Sequence, residues 1–263
     1  MVYEKQPGVP RFRVTEFAPR QSDYCVCIPI INENGRIQKE LKRARAHHIH
    51  RQVDILLCDG GSTDGSTEEN LLRSLGVNAL LVKEDTGKQG AQLRMGLWWA
   101  LQRGYRGILT VDGNNKDSIE DIPRFLEKLE KGYDFVQGSR FVKGGRAIRT
   151  PLVRHLSVVL LHAPVISLTA HQRFTDTTNA FRAYSRRYLT HPKVQPFREV
   201  FMGYELLAYL SVRASQLGLH ACEVPVTRAY PRGEKTPTKI SFFKGNADLL
   251  KILLKNMRGA YNP

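Results

Sequence analysis

Through the first half of the chain, short apolar runs alternate with longer amphipathic stretches, and each run ends in a polar turn. Residues 24–31, 53–58, 77–83, 108–111 and 133–138 are rich in Val, Ile and Leu and read as strands. Between them the spacing predicts helices from Gly35 to about His50, over 68–75, from the 87–90 turn through Gly104, and over 119–131. In the third, Leu93, Leu97, Ala100 and Leu101 share one face. In the fourth, Pro123 sits in the first turn, where proline is tolerated. Strand, loop and helix recurring in this order predict a doubly wound, Rossmann-like, mostly parallel α/β sheet.

The second half follows a different rhythm. Residues 152–170 are apolar and helical in pattern, with a break expected near Pro164. A polar stretch from Arg173 turns strand-like by Tyr184, and a helix over 202–217 and a strand over 221–226 follow. Residues 227–240 are basic and rich in Pro and Gly, which suits a mobile lid. Residues 242–257 form a last amphipathic helix, and packing against the domain is favoured over lying on a bilayer. Residues 1–22 hold Pro7, Pro10 and Pro19 without periodicity and are expected to be an extended arm. The organisation is thus an arm, then one domain over 23–257. Its halves are 23–145 and a smaller 146–241, closed by the helix 242–257.

Ligands in open α/β sheets sit outside the carboxyl ends of strands. Glu33, Asp59 and Asp112 all follow strands on that side. Asp112 and Asn114 leave the fourth strand as i and i+2, so both can face one crevice, where two oxygens suit Mg²⁺ or Mn²⁺ clamping a diphosphate. Taken alone, the stretch reads slightly better as an Asx-rich turn. No strand is followed by a P-loop or a Gly-x-Gly-x-x-Gly turn, which disfavours nucleoside triphosphatases and dinucleotide dehydrogenases.

Composition narrows the partners. The 263 residues carry a net charge of +15, with 41% hydrophobic and 25% charged residues, the balance of a globular protein drawn to anions. The cations are spread along the chain and lack interleaved aromatics or a nucleic-acid module, so phosphates and membrane surfaces are favoured over nucleic acid. Cys25, Cys27 and Cys58 lie in apolar runs and read as buried thiols of a reducing compartment. The first twenty residues lack an apolar core, and no apolar run reaches the ~20 residues a spanning helix needs. A cytoplasmic location, peripheral to the membrane's inner face, is the expectation.

Several motifs, in order, now resemble the inverting family 2 glycosyltransferases of GT-A fold, nearest the dolichyl- or polyprenyl-phosphate mannosyl- and glucosyltransferases. Ile28-Pro29-Ile30-Ile31-Asn32-Glu33 is similar to the family's Val-Pro-x-x-Asn-Glu, and Asp59-Gly60-Gly61-Ser62-Thr63-Asp64-Gly65-Ser66 to its Asp-Asp-Gly-Ser-x-Asp-Gly-Thr. Gly87-Lys88-Gln89-Gly90-Ala91 resembles its Gly-Lys-Gly-x-Ala with a residue inserted or shifted at Gln89. The Asp-x-Asp metal motif falls on Asp112-Gly113-Asn114, with Lys116, a cation able to neutralise phosphate, where a third metal ligand would stand. Gly138-Ser139-Arg140 with Gly144-Gly145, the segment 175–184, and the Arg232–Ser241 loop match the polyprenyl branch.

The resemblance implies transfer of a hexose from a nucleotide-diphosphate sugar, of GDP-mannose or UDP-glucose type, with anomeric inversion. Pro29, Asn32, Glu33, Asp59, Gly61, Ser62, Lys88, Asp112, Gly113 and Asn114 would hold the donor. Asp112 and Asn114 would hold Mg²⁺ or Mn²⁺. Arg140, Arg182, Arg232 and Lys239 would gather the acceptor phosphate, and Asp112, Arg140, Asp176 and Arg232 would carry catalysis. A lipid phosphate is already ionised near neutral pH and needs no general base; a hydroxyl acceptor would need one, with Asp176 or Glu205 as candidates. A soluble hydroxyl acceptor and a non-catalytic nucleotide-binding relative of the fold stand as alternatives.

Overall fold

The computed structural model describes residues 2–3, 6–232 and 242–263, with side chains for 6–232 and 248–263. Residues 233–241, including Lys239, lie outside the described residues. The sheet is built from β1 (Val2–Tyr3), β2 (Phe12–Glu16), β3 (Tyr24–Ile30), β4 (Asp54–Asp59), β5 (Ala79–Lys83), β6 (Gly107–Thr110) and β7 (Phe135–Ser139). A short β8 (Arg146–Ile148) stands apart from it, and β9 (Arg182–Ser185) and β10 (Ala221–Pro225) complete it. The order is β1-β2-β5-β4-β3-β6-β9-β7-β10. β5, β4, β3 and β6 run parallel, as do β7 and β10, while β9 is antiparallel to both its neighbours. A two-stranded parallel ribbon pairs β8 with β11 (Thr227–Ala229).

The central strands are buried on both faces and alternate between two cores, as period-two geometry requires. Cys25, Cys27, Leu56 and Cys58 face one layer, and Val26, Ile28, Ile55 and Leu57 face the other. The first layer is covered by α3 (Gln89–Gln102) and α8 (Glu205–Gln216), with Leu93, Leu97 and Leu210 buried in it. The second is covered by α1 (Arg36–Ala46), α2 (Glu69–Ser74) and α4 (Ile122–Glu130) through Ile37, Leu41, Leu72 and Phe125. The four cysteines are free thiols and three of them are buried.

Two expectations change. The stretch 1–22 is not a loose arm: β2 pairs with β5, and Val9, Phe12 and Val14 are buried. Phe12 and Val14 alternate with exposed Arg13, a strand too short and too closely hemmed by prolines to show a period. The segment 152–170 runs as α5 (Leu152–Ser157), a π-helical turn (Val158–His162) and α6 (Ala163–Ala170). Pro164 follows the π-helical turn directly, and that widened turn accommodates the proline, so the helix runs on through it without a break. These 19 residues are long and apolar enough to cross a bilayer by length and composition, and only about a fifth of the most apolar stretch is buried. Leu152, Leu160 and Leu168 are each about 70% exposed. The short α7 (Arg186–Leu189) follows β9, and α9 (Phe242–Met257) closes the chain. Leu253 of α9 is buried in the core, and Asn256 Nδ2 donates to the Ala208 carbonyl at 2.9 Å.

Candidate functional site

The chain runs from β3 outward to β4 and β5, then returns to place β6 on the other side of β3. This reversal leaves a crevice at the carboxyl ends of β3 and β6, where ligands of such sheets bind. The loops after β3 and β4 are stitched together beside it. Asn32 Oδ1 accepts from Thr63 N at 2.8 Å, the Asn32 N–H donates to Ser62 Oγ at 3.0 Å, and the Asn34 N–H donates to Asp64 Oδ2 at 2.6 Å. Asp59 is buried and accepts from the N–H groups of Gly61 and Ser62, each at 2.9 Å, and from the Ser62 hydroxyl. Glu33 is buried and paired with Arg36 at 3.3 Å. Pro29 is buried inside β3, and Lys88 is exposed just ahead of α3.

Gln92 of α3 clamps the two strand ends, its amide donating to the Ile30 carbonyl at 2.7 Å and the Cys58 carbonyl at 2.8 Å. A Cβ at position 60 would lie 3.0 Å from that amide nitrogen. The second aspartate of the family motif would crowd this clamp, a physical reason for Gly60.

Asp112 sits two residues beyond β6. Its Oδ1 accepts from Gln89 Nε2 at 2.8 Å, and its Oδ2 from Arg228 Nη2 at 3.2 Å and Asn114 Nδ2 at 3.4 Å. Gly113 lets this turn lie on β3, since a Cβ there would meet Ile30 Cγ2 at 2.5 Å. Arg228 comes from β11, which crosses the 112–118 loop and is held by Ala229 N to Lys116 O (2.8 Å) and Ser118 N to Thr227 O (2.9 Å). Its other terminal nitrogen donates to buried Asp117. Lys116 is buried with its ammonium 5.2 Å from the centre of the Tyr230 ring. Behind them Glu40, fully buried, accepts from Asn115 N at 2.8 Å.

The charges order themselves accordingly. Burial works to raise the Asp112 carboxyl, but Arg228 and Lys116 outweigh it and hold it below the usual carboxylate range. Burial and the like charge of Arg228 push Lys116 down to about 8. Burial raises Asp117, and Glu40 is raised well above its ordinary value, chiefly by burial, with Asp117 and Asp112 adding to it.

The expected phosphate-gathering arginines are placed differently. Arg140 is locked onto Asp176, Nε to Oδ2 at 2.6 Å and Nη2 to Oδ1 at 2.9 Å, with both side chains about fully buried. This bidentate pair takes Asp176 out of reach as a base and makes Arg140 a positioning residue. Arg182 donates to the carbonyls of Asn179 (2.9 Å), Thr177 (2.9 Å) and Leu207 and is fully buried, so it ties β9 to α8 instead of meeting a phosphate. Glu205 caps the loop before α8 by accepting from Gly203 N at 2.6 Å. Arg94 of α3 is buried and donates to the Gly8 carbonyl and to Met202 Sδ. Of the 227–240 stretch, 227–229 is strand and Arg228 is buried; Arg232 is exposed at its described end.

The donor set at Asp112 does not suit a divalent ion. Both carboxylate oxygens already accept hydrogen bonds, Asn114 turns its amide nitrogen to Asp112 and its oxygen to Lys116 N at 3.3 Å, and two cations stand alongside. Among the described residues no three His, Cys, Asp or Glu side chains group to hold a metal.

Sequence reasoning missed Arg228, Gln89, Gln92, Asp117 and Glu40. Only Gln89 left a trace, as the misfit in Gly87-Lys88-Gln89-Gly90; the misfit is the side chain that binds Asp112.

A switch-point crevice lined by loop carboxylates, within a mixed sheet whose later strands bring a second group of polar residues, defines the GT-A class of glycosyltransferases. Residues 25–191 match the glycosyl transferase family 2 model, and the chain belongs to that family. It is 31% identical to a polyprenol monophosphomannose synthase of Mycolicibacterium smegmatis, over 89% of this chain and 87% of the relative. It is 30% identical to an undecaprenyl-phosphate mannosyltransferase of Micrococcus luteus, over 76% and 81%. Among solved structures, glucosyl-3-phosphoglycerate synthase of Mycobacterium tuberculosis bound to UDP shares the fold, with a TM-score of 0.64 and 17% identity over 91% of this chain and 80% of that one. The same synthase has been solved with Mn²⁺, UDP and phosphoglyceric acid, at a TM-score of 0.60 and 17% identity over 90% and 76%.

Proposed function

We propose that the chain transfers a hexose from a nucleotide-diphosphate sugar to a polyprenyl phosphate at an anionic membrane surface, with inversion at the anomeric carbon. One observation carries the acceptor reading. The helix 152–170, apolar outside and without an acidic residue, is tied by Arg154 Nη1 to the Tyr230 hydroxyl at 2.8 Å, and Tyr230 is the ring beside Lys116 and the Asp112 loop. A lipid tail against that helix puts its phosphate next to the crevice. The names of the relatives at 30–31% identity point the same way.

In this reading Pro29, Asn32, Glu33, Asp59, Gly61, Ser62 and Lys88 frame the nucleotide, and Asp112, Gly113 and Asn114 the diphosphate and sugar. The ionised acceptor oxygen attacks C1 from the face opposite the leaving group. The bond from C1 to the diphosphate oxygen breaks, and the nucleoside diphosphate leaves with the electron pair. No base is needed, because the phosphate has lost its proton near neutral pH. Arg232 and Lys239 steer the acceptor phosphate as point charges. The enzyme works peripherally, on the cytoplasmic side of the bilayer, and the +15 charge favours anionic lipid.

The test is a product assay with undecaprenyl phosphate in vesicles and a panel of UDP-, GDP-, CDP- and dTDP-sugars. One donor should give a glycosyl phosphoryl lipid, and Asp112→Asn should lower the rate by about a hundredfold or more while the protein stays folded. Transfer to soluble hydroxyl acceptors in preference to the lipid would defeat the acceptor reading.

A further inference from the structure

We propose that Tyr204 reads the sugar: its hydroxyl hydrogen-bonds the hexose in transit between donor and acceptor, and so helps to set which sugar is transferred. The inference rests on the donor and acceptor sites proposed above and concerns what stands between them.

Tyr204 immediately precedes α8, in a loop built into the wall of the crevice. Phe201 anchors this loop, buried and stacked on Tyr209 with ring centres 5.0 Å apart. The Met202 carbonyl accepts from Lys88 N at 3.0 Å. The Gly203 backbone lies so close to Gly90 that a Cβ at position 90 would stand 2.5 Å from the Gly203 carbonyl oxygen and 3.0 Å from its nitrogen. Between Lys88 and Gly90 is Gln89, whose amide holds Asp112 Oδ1 at 2.8 Å. The turn that fixes Asp112 and the loop that carries Tyr204 are therefore one packed unit.

This packing does not consume the Tyr204 side chain. The buried phenols Tyr188 and Tyr209 each donate to a carbonyl at 2.8 Å. Tyr204 is half-buried, and its hydroxyl makes no hydrogen bond among the described residues. Burial holds the phenol above its ordinary value, Asp112 adds to this, and Arg154 of α5 opposes it. The hydroxyl thus stays protonated near neutral pH and feels both the carboxylate of the donor site and the arginine of the lipid-facing helix. A diphosphate at the Asp112 turn and a lipid phosphate beside the helix 152–170 leave the transferred sugar between them, because C1 must lie between the leaving and the attacking oxygen. A group that senses Asp112 and Arg154 together stands at that position. A sugar hydroxyl donates and accepts, as a protonated phenol does, whereas a phosphate only accepts and is better met by an arginine.

The test is steady-state transfer by the full-length protein to undecaprenyl phosphate in vesicles. The donors are whichever of the UDP-, GDP-, CDP- and dTDP-sugars it uses and the monodeoxy analogues of that sugar; the matching nucleoside diphosphate is titrated by calorimetry. Tyr204→Phe removes the hydroxyl and keeps the ring. Its kcat/KM should fall about tenfold or more, with the Kd for the nucleoside diphosphate within about twofold of wild type and the melting temperature unchanged. Wild type should prefer the parent sugar over one monodeoxy analogue by about tenfold or more, and Tyr204→Phe should lose that preference alone. A Tyr204→Phe enzyme with wild-type rate and wild-type discrimination overturns the inference and leaves the proposed function standing. A loss of activity matched by an equal loss of nucleoside diphosphate binding, or of folded protein, also overturns it. Wild type that transfers no sugar to the lipid overturns the acceptor reading and this inference together.

Discussion

Arg228 and Asp112 are 116 positions apart in sequence and 3.2 Å apart in space. The contact makes a three-residue strand of the ribbon, β11, part of the candidate site, and it binds the C-terminal third of the chain to the loop after β6. The same strand passes between Asp112 and Asp117, so one guanidinium balances two carboxylates.

The Arg140–Asp176 pair is structural, and its loss should be felt in stability. Asp176→Asn leaves a buried guanidinium uncompensated and should cost about 3–5 kcal/mol in urea unfolding. Replacing both residues by apolar ones, as Arg140→Met with Asp176→Leu, should recover much of that. Equal losses in the single and double variants would show that the loop depends on Glu223, which accepts from the Thr175 N–H and hydroxyl and from the Asp176 N–H, not on the pair.

Glu40 gives stability a pH slope of unusual sign. Its folded-state carboxyl is raised well above its ordinary value, first by burial. Between the unfolded value of about 4.3 and the raised one, the native state holds a proton that the unfolded chain has released, so stability falls as pH rises through that window. Glu40→Gln removes this loss. Its melting temperature should match wild type near pH 4 and exceed it increasingly toward pH 8. Parallel curves would contradict the assignment.

Gly113→Ala should destabilise by about 1–3 kcal/mol, because its Cβ would overpack Ile30 and Ile28 beneath the Asp112 turn. Chemical denaturation reads the loss, and reduced activity should accompany it as the turn shifts.

The helix 152–170 should dock the protein on lipid. Leu160→Glu, at a position 71% exposed, should cut co-sedimentation with anionic vesicles severalfold and leave nucleotide binding in solution unchanged. Wild-type binding should weaken with salt, since part of it is electrostatic. Co-sedimentation equal to wild type would place the membrane contact elsewhere.

The parallel half of the sheet was legible because its strands are continuous apolar runs between glycine-bearing turns. The positions of Asp59 and Asp112 followed from the rule that strand ends face ligands. What failed to show was tertiary pairing. Arg140, Arg182 and Arg228 are indistinguishable as letters, yet one is locked by Asp176, one by three carbonyls and one by Asp112 and Asp117. A basic run suggested a lid because no local signal marks a three-residue strand paired with another three-residue strand. β2 was overlooked for the same reason: its order comes from β5, not from its own period.

The crossing of β11 over the 112–118 loop also fixes when the candidate site can exist. A ribosome must add 116 residues after Asp112 before the arginine that balances it has been made. Until then the loop holds Asp112 and Asp117 without the guanidinium that bridges them. The candidate site is therefore completed late in synthesis, with α9 the one described element still to follow β11.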